Sequence, residues 1–277
     1  MTLITTTIPA PEAPHYHPTG VMKSEWTKIR SVRSTTWTIL VTIVLTIGIG
    51  IIATATEASR WAHASPGDKL SFDPTNVSLT GLLLGQLAIG ILGVLAISAE
   101  YGTGTIRSSL AAVPNRKMFL AAKAGVFAAV ALVVGEIASF GAFFIGQMLI
   151  GGGAPHATLA QGGVLRAVAG GGLYLAVLGL LALGLGTIIR HTAGAIAAFV
   201  GVLLILPLLT PALPLSFQNA ISKFEPVNIG GAMTAVKPSA IHGSVMPFSP
   251  WVGMAILAGY AAIALAVGGY RMVRRDA

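Results

Sequence analysis

Six long apolar runs constrain this chain more than any other feature. Within lipid, backbone N–H and C=O groups must be satisfied inside the crossing segment, so a run of about 20 apolar residues is restricted to a helix. The runs cover positions 37–56, 79–98, 119–150, 167–189, 193–209 and 251–270. The third is longer than a crossing needs and is expected to tilt or protrude. Only 9% of the 277 residues are charged, against 54% hydrophobic. A soluble domain carries about 25% charged residues. The chain reads as an all-α membrane protein, a single six-span domain over residues 20–277.

Residues 1–19 hold Pro9, Pro11, Pro14 and Pro18 and have neither a basic start nor an apolar core. They read as a short disordered tail rather than a signal peptide.

The basic residues sort to the two ends of these runs. Twelve (Lys23, Lys28, Arg30, Arg33, Arg107, Arg116, Lys117, Lys123, Arg190, Arg271, Arg274 and Arg275) fall on one side, and five (Arg60, Lys69, Arg166, Lys223 and Lys237) on the other. By the positive-inside rule the larger set faces the cytoplasm. A multi-pass plasma-membrane protein with both termini inside is the expectation. The net charge of +8 is then topology and attraction to anionic headgroups, and no nucleic-acid partner is implied. Absence of cysteine excludes disulfides and thiolate metal sites. The six histidines show no ligand spacing, so no metal site is expected.

Two outer connections are long. Residues 57–78 are polar and turn-rich. Residues 210–250 open on a set of prolines (Pro207, Pro211, Pro214) expected to stop the fifth span. Segments 217–224 and 227–236 have the composition of short helices, and so apolar a stretch is expected to dip partly back into the membrane.

Three groups of residues carry the functional signal. In the first, Met22, Trp26 and Ile29 share one helical face, with Lys23 and Lys28 among the surrounding cations. A basic amphipathic helix with a tryptophan belongs at the membrane surface. The second begins at Glu100-Tyr101-Gly102-Thr103-Gly104-Thr105-Ile106-Arg107, directly after the second run. Its glycines permit a sharp turn, and Thr103 or Thr105 is placed to cap a following short helix. In that helix Ile106, Leu110 and Val113 repeat on one face, and Arg107, Ser108 and Ser109 lie opposite. The third is intramembrane and polar. Glu136 is the acid well inside a run, and such a group is a functional candidate or is held neutral by burial. Gln147 suits a packing hydrogen bond, while Gln86 suits either a pathway or a helix contact.

The pattern Glu100-Tyr101-x-x-Gly104-Thr105-x-Arg107-x-x-Leu110, followed by Arg116 at the next span, resembles the coupling region of permease subunits of type-2 ABC exporters. Lys23-x-Glu25-Trp26-x-Lys28-x-x-Ser31 is similar to the same family's N-terminal surface helix. The resemblance implies six spans, a surface helix, a cytoplasmic coupling helix between spans two and three, and a semi-buried outer stretch between spans five and six. It further implies two copies of a separate ABC ATPase that hold ATP and Mg, and a second permease, identical or sibling. Glu100, Tyr101, Gly104, Thr105, Arg107, Ser108 and Leu110 would form the coupling site, with Glu100 and Arg107 making polar contacts to the ATPase. The chain has no G-x-x-x-x-G-K-[ST] phosphate loop and no catalytic constellation, so it carries no catalytic residue and binds no cofactor itself. Apolar spans favour a lipid-like or drug-like cargo. The competing reading is a self-contained proton-coupled secondary transporter using Glu136.

Overall fold

The computed structural model describes residues 17–150, 154–237 and 247–275. The tail expected over 1–19 lies outside them except at its end, where Pro18 already opens a helix.

Among the described residues every regular element is helical. The order is α1 (Pro18–Ser31), α2 (Arg33–Arg60), α3 (Pro66–Ser71), α4 (Pro74–Ser78), α5 (Leu82–Gly102), α6 (Thr105–Ala112) and α7 (Arg116–Leu149). Then follow α8 (Val164–Ile189), α9 (Thr192–Val200), α10 (Leu206–Leu209), α11 (Leu215–Ile221), α12 (Pro226–Thr234) and α13 (Pro250–Arg275). Among the described residues six stretches are long and apolar enough to cross a membrane: Arg33–His63, Pro74–Gly102, Arg116–Leu149, Val164–Ile189, Thr192–Ala212 and Pro250–Arg274. The protein is a multi-pass membrane protein.

The fifth span ends within the expected proline set, though not at its first member. Pro207 does not stop it; the helical stretch runs on to Ala212. A proline ring clashes with the carbonyl four residues back. Here the preceding residues, Gly201–Ile205, form a wide π turn that absorbs the misfit.

Helix α8 is the centre of the bundle, packed by α5, α7 and α13. Small residues make that approach possible. A Cβ on Gly93 of α5 would lie 2.4 Å from the Gly179 carbonyl oxygen of α8, and one on Gly184 would lie 2.7 Å from the Ala264 Cβ of α13. The fourth-span glycines thus serve contacts within the chain. By contrast α2 and the fifth span leave most of their apolar surface open.

The two ends of the bundle are closed differently. At one end Arg166 donates to the Met233 and Ala235 carbonyls, both at 2.8 Å, and closes the C-terminus of α12. Asp73 caps α4 through Thr75 and Asn76, and its other oxygen accepts the Val236 and Lys237 amides at 2.7 and 3.0 Å. Gln147 joins this end, donating to the Pro74 carbonyl and Ser78 hydroxyl and accepting the Ala157 amide. Buried Glu225 accepts hydrogen bonds from Thr210 and Asn228, tying the end of the fifth span to α12. Helix α11 stays exposed, while α12 packs on α8 and α13.

At the other end Arg116 donates to the Met272 carbonyl at 2.9 Å and Arg271 to the Ile188 carbonyl at 3.1 Å, satisfying the last turns of α13 and α8. This end also holds α1, α6 and the final turn of α13.

With no native cysteine, single cysteines report sidedness. Lys117→Cys is expected to react with a membrane-impermeant maleimide only after cells are opened, and Leu70→Cys in intact cells. The opposite labelling pattern would invert the expected orientation.

Candidate coupling site

The site is built where α5 ends and α6 begins. Helix α5 runs through Gly102, and the turn is made by Gly104 alone, at φ 73 in the left-handed region. Gly102 is helical, so only Gly104 needs glycine's freedom. No side chain caps α6. The expected threonine cap is absent because the Thr103 hydroxyl bonds back to the Ala99 carbonyl at 2.9 Å and pairs with the Thr105 hydroxyl.

Helix α6 has two faces. Ile106 is buried, and Leu110 and Val113 pack against the core. Thr105, Arg107, Ser108, Ala111 and Ala112 are exposed. Asn115 then caps α7 by accepting the Met118 amide at 3.1 Å.

Beneath α6 lies a charge cluster. Lys123 of α7 donates to Glu25 of α1 at 2.5 Å, to Glu100 of α5 at 2.7 Å and to the Ala96 carbonyl at 3.2 Å. Lys28 of α1 donates to Glu25 at 2.7 Å, to Glu100 at 3.0 Å and to the Ser109 hydroxyl of α6 at 3.2 Å. Both ammonium groups sit over the ring of buried Phe119, at 5.3 and 5.4 Å from its centroid. An ammonium has three donors, and each lysine uses all three. The cluster therefore joins α1, α5, α6 and α7.

Burial ranks these pairs. The side chains of Lys123 and Glu25 are 5% and 4% exposed, whereas Lys28 is 40% exposed. Burial works against the charged Lys28, but Glu25 and Glu100 overcome it and hold the ammonium above its ordinary value. Its stabilising contribution is therefore complete at neutral pH and fades only as pH rises through that elevated value.

The site residues expected from the sequence divide in two. Glu100 turns inward to the lysines, and Tyr101 lies against the Arg190 guanidinium at 5.2 Å, in the turn between α8 and α9. Leu110 is also inward. Gly104, Thr105, Arg107 and Ser108 face out. On α1, Val21 and Glu25 are buried, Lys28 and Ile29 half-buried, and Met22, Lys23 and Trp26 exposed. Sequence reasoning missed Glu25 and Lys123 as site residues. The available signal was a lone acid on a basic helix and a lysine seven positions into a span.

The intramembrane polar residues make separate contacts. Gln86 pairs with Tyr174 of α8. Gln147 belongs to the far end. Glu136 is half-buried against Gly172, with Oε2 lacking a hydrogen-bond partner. Among the described residues no group of three or more His, Cys, Asp or Glu is placed to hold a metal ion. His191 instead caps α9 by accepting the Gly194 amide.

A family model described as ABC-2 family transporter protein matches residues 21–205, more than half of the chain. None of the curated proteins compared matches the chain. The chain belongs to the ABC-2 transporter family and is a membrane-spanning permease component of an ABC transporter.

Removing one partner from a buried pair typically costs about 3–5 kcal/mol, while exposed pairs contribute about 0–1 kcal/mol. Lys123→Met is expected to lower stability by about 3–5 kcal/mol, and Lys28→Met by less, because its ammonium is part-exposed and Lys123 still holds both buried carboxylates, read as thermal unfolding in detergent. Equal losses would show that burial does not set the strength of the cluster.

Proposed function

We propose that this permease is driven by a separate cytoplasmic ABC ATPase that docks on the exposed face of α6. The observation that carries this reading is a short helix whose inner face is locked into the bundle while Arg107, Ser108 and Thr105 remain open. Its position on the basic end of the bundle supports a cytoplasmic α6 and cytoplasmic termini in the plasma membrane. Two ATPase copies bind ATP and Mg, and this chain holds neither. A second permease, identical or sibling, completes the pathway, and the open apolar faces of α2 and the fifth span support that pairing. The transporter exports a lipid-like or drug-like cargo. Family membership does not favour the proton-coupled transporter reading of Glu136.

Glu100 enters this proposal as a positioning residue. Its carboxylate holds Lys28 and Lys123, and Arg107 carries the outward charge.

Arg107→Glu is expected to reduce co-purification with the partner ABC ATPase by about tenfold, a loss of roughly 1.4 kcal/mol. Membrane insertion should be unchanged and Arg107→Lys should retain most binding. Wild-type binding by Arg107→Glu would remove α6 as the docking face. Glu136→Gln is expected to leave ATP-driven transport and its pH dependence unchanged. A loss of that pH dependence would restore a proton role.

A further inference from the structure

Between α2, α5 and α7, on the side of α1, lies a cleft of about 560 Å³. Its form follows from uneven packing. Midway along, α2 meets its neighbours backbone to backbone: a Cβ on Gly81 would lie 1.8 Å from the Thr46 carbonyl oxygen, and one on Gly50 2.4 Å from the Ser78 carbonyl oxygen. Nearer α1 the cleft separates α2 from α5 and α7. Leu92, Leu95, Phe127 and Val130 form apolar walls, and the Glu25–Lys28–Glu100–Lys123 cluster forms the floor. At the mouth are the hydroxyls of Ser34, Thr35, Thr105 and Ser108.

The walls belong to membrane spans, so the space opens where hydrocarbon is the solvent. The volume lies within the range of pockets that enclose a small ligand, about 300–1,000 Å³. Charge identifies the polar end of the occupant. Glu25 and Glu100 are neutralised by the two lysines. The exposed charges described on α1, α6 and the first turns of α2 and α7 are all cationic: Lys23, Arg30, Arg33, Arg107 and Lys117. The uncompensated charge at this end of the bundle is therefore positive.

We propose that this cleft binds one anionic glycerophospholipid from the leaflet in which α1 lies. An acyl chain fills the wedge beside Leu95 and Phe127. The phosphate rests at the mouth, accepting hydrogen bonds from the Ser34 and Thr35 hydroxyls and drawn by the positive charge of this end. The lipid completes packing that the protein leaves open between α2 and the coupling end. This inference does not rest on ATPase docking, and its test uses the chain alone.

The test is native mass spectrometry of the purified full chain titrated with dioleoylphosphatidylglycerol or dioleoylphosphatidylcholine. The wild type is expected to bind the first roughly tenfold more tightly. Ala99→Phe places a ring in the cleft from an exposed position. It should weaken phosphatidylglycerol binding by about tenfold with unfolding temperature unchanged. Ser34→Asp adds an anion at the mouth in the first turn of α2, where the helix tolerates it. It should bring the two lipids to near parity, while Ser34→Asn should keep the preference. Equal retention of both lipids by the wild type would overturn the charge argument. Undiminished binding by Ala99→Phe would place the lipid elsewhere and overturn the site.

Discussion

Lys123 cannot be left alone where it stands. Its ammonium is buried two turns into α7, over the ring of Phe119. An unpaired charge there would cost several kcal/mol. Two carboxylates must reach it, and they come from different directions: Glu25 along α1 and Glu100 at the end of α5. Once both are in place they carry more negative charge than Lys123 balances, and Lys28 restores neutrality. The bond from Lys28 to Ser109 then draws in α6. The lie of α1, the exit of α5 and the seating of α6 follow from satisfying one buried cation.

The rest of the bundle is held by a different force. Around α8 the contacts are glycine against backbone, and they depend on shape rather than charge. At the far end polar groups return, several of them to satisfy helix termini. Arg166 takes the carbonyls that end α12, and Asp73 takes the amides that follow it. The molecule thus has an ionic knot at one end, a close-packed middle and a capped far end. The cleft lies where the close packing of α2 gives way before the knot is reached.

The spans were legible because lipid permits so few structures, and hydropathy reports that constraint directly. The inner and outer faces of α6 were equally legible, since Ile106, Leu110 and Val113 keep a helical period. The knot was not. Its key pair, Glu25 and Lys123, is 98 positions apart, and no local period reports such a partner. Glu100 was visible as a fixed acid at a hinge, but the sequence shows neither lysine aimed at it. How the fifth span passes Pro207 was hidden for another reason. The rule that proline ends a helix assumes an α register upstream, and the π turn at Gly201–Ile205 changes that register.

The energies of these contacts bear on how a push at α6 would travel. Separating α6, α1 and α5 from α7 would expose or orphan charges at about 3–5 kcal/mol for each buried partner lost. Coupling between sites in proteins is typically about 1–3 kcal/mol. A displacement of that smaller size leaves the knot closed, so the four elements move as one body. The softer boundaries are elsewhere. One is Val32, the single extended residue between α1 and α2. Another is the cleft between α2 and the α5–α7 pair, where apolar surfaces stand apart. On the proposed reading, ATP-driven motion of α6 is therefore taken up by a tilt of α2 against its neighbours. The lipid in the cleft then sets how freely that tilt occurs.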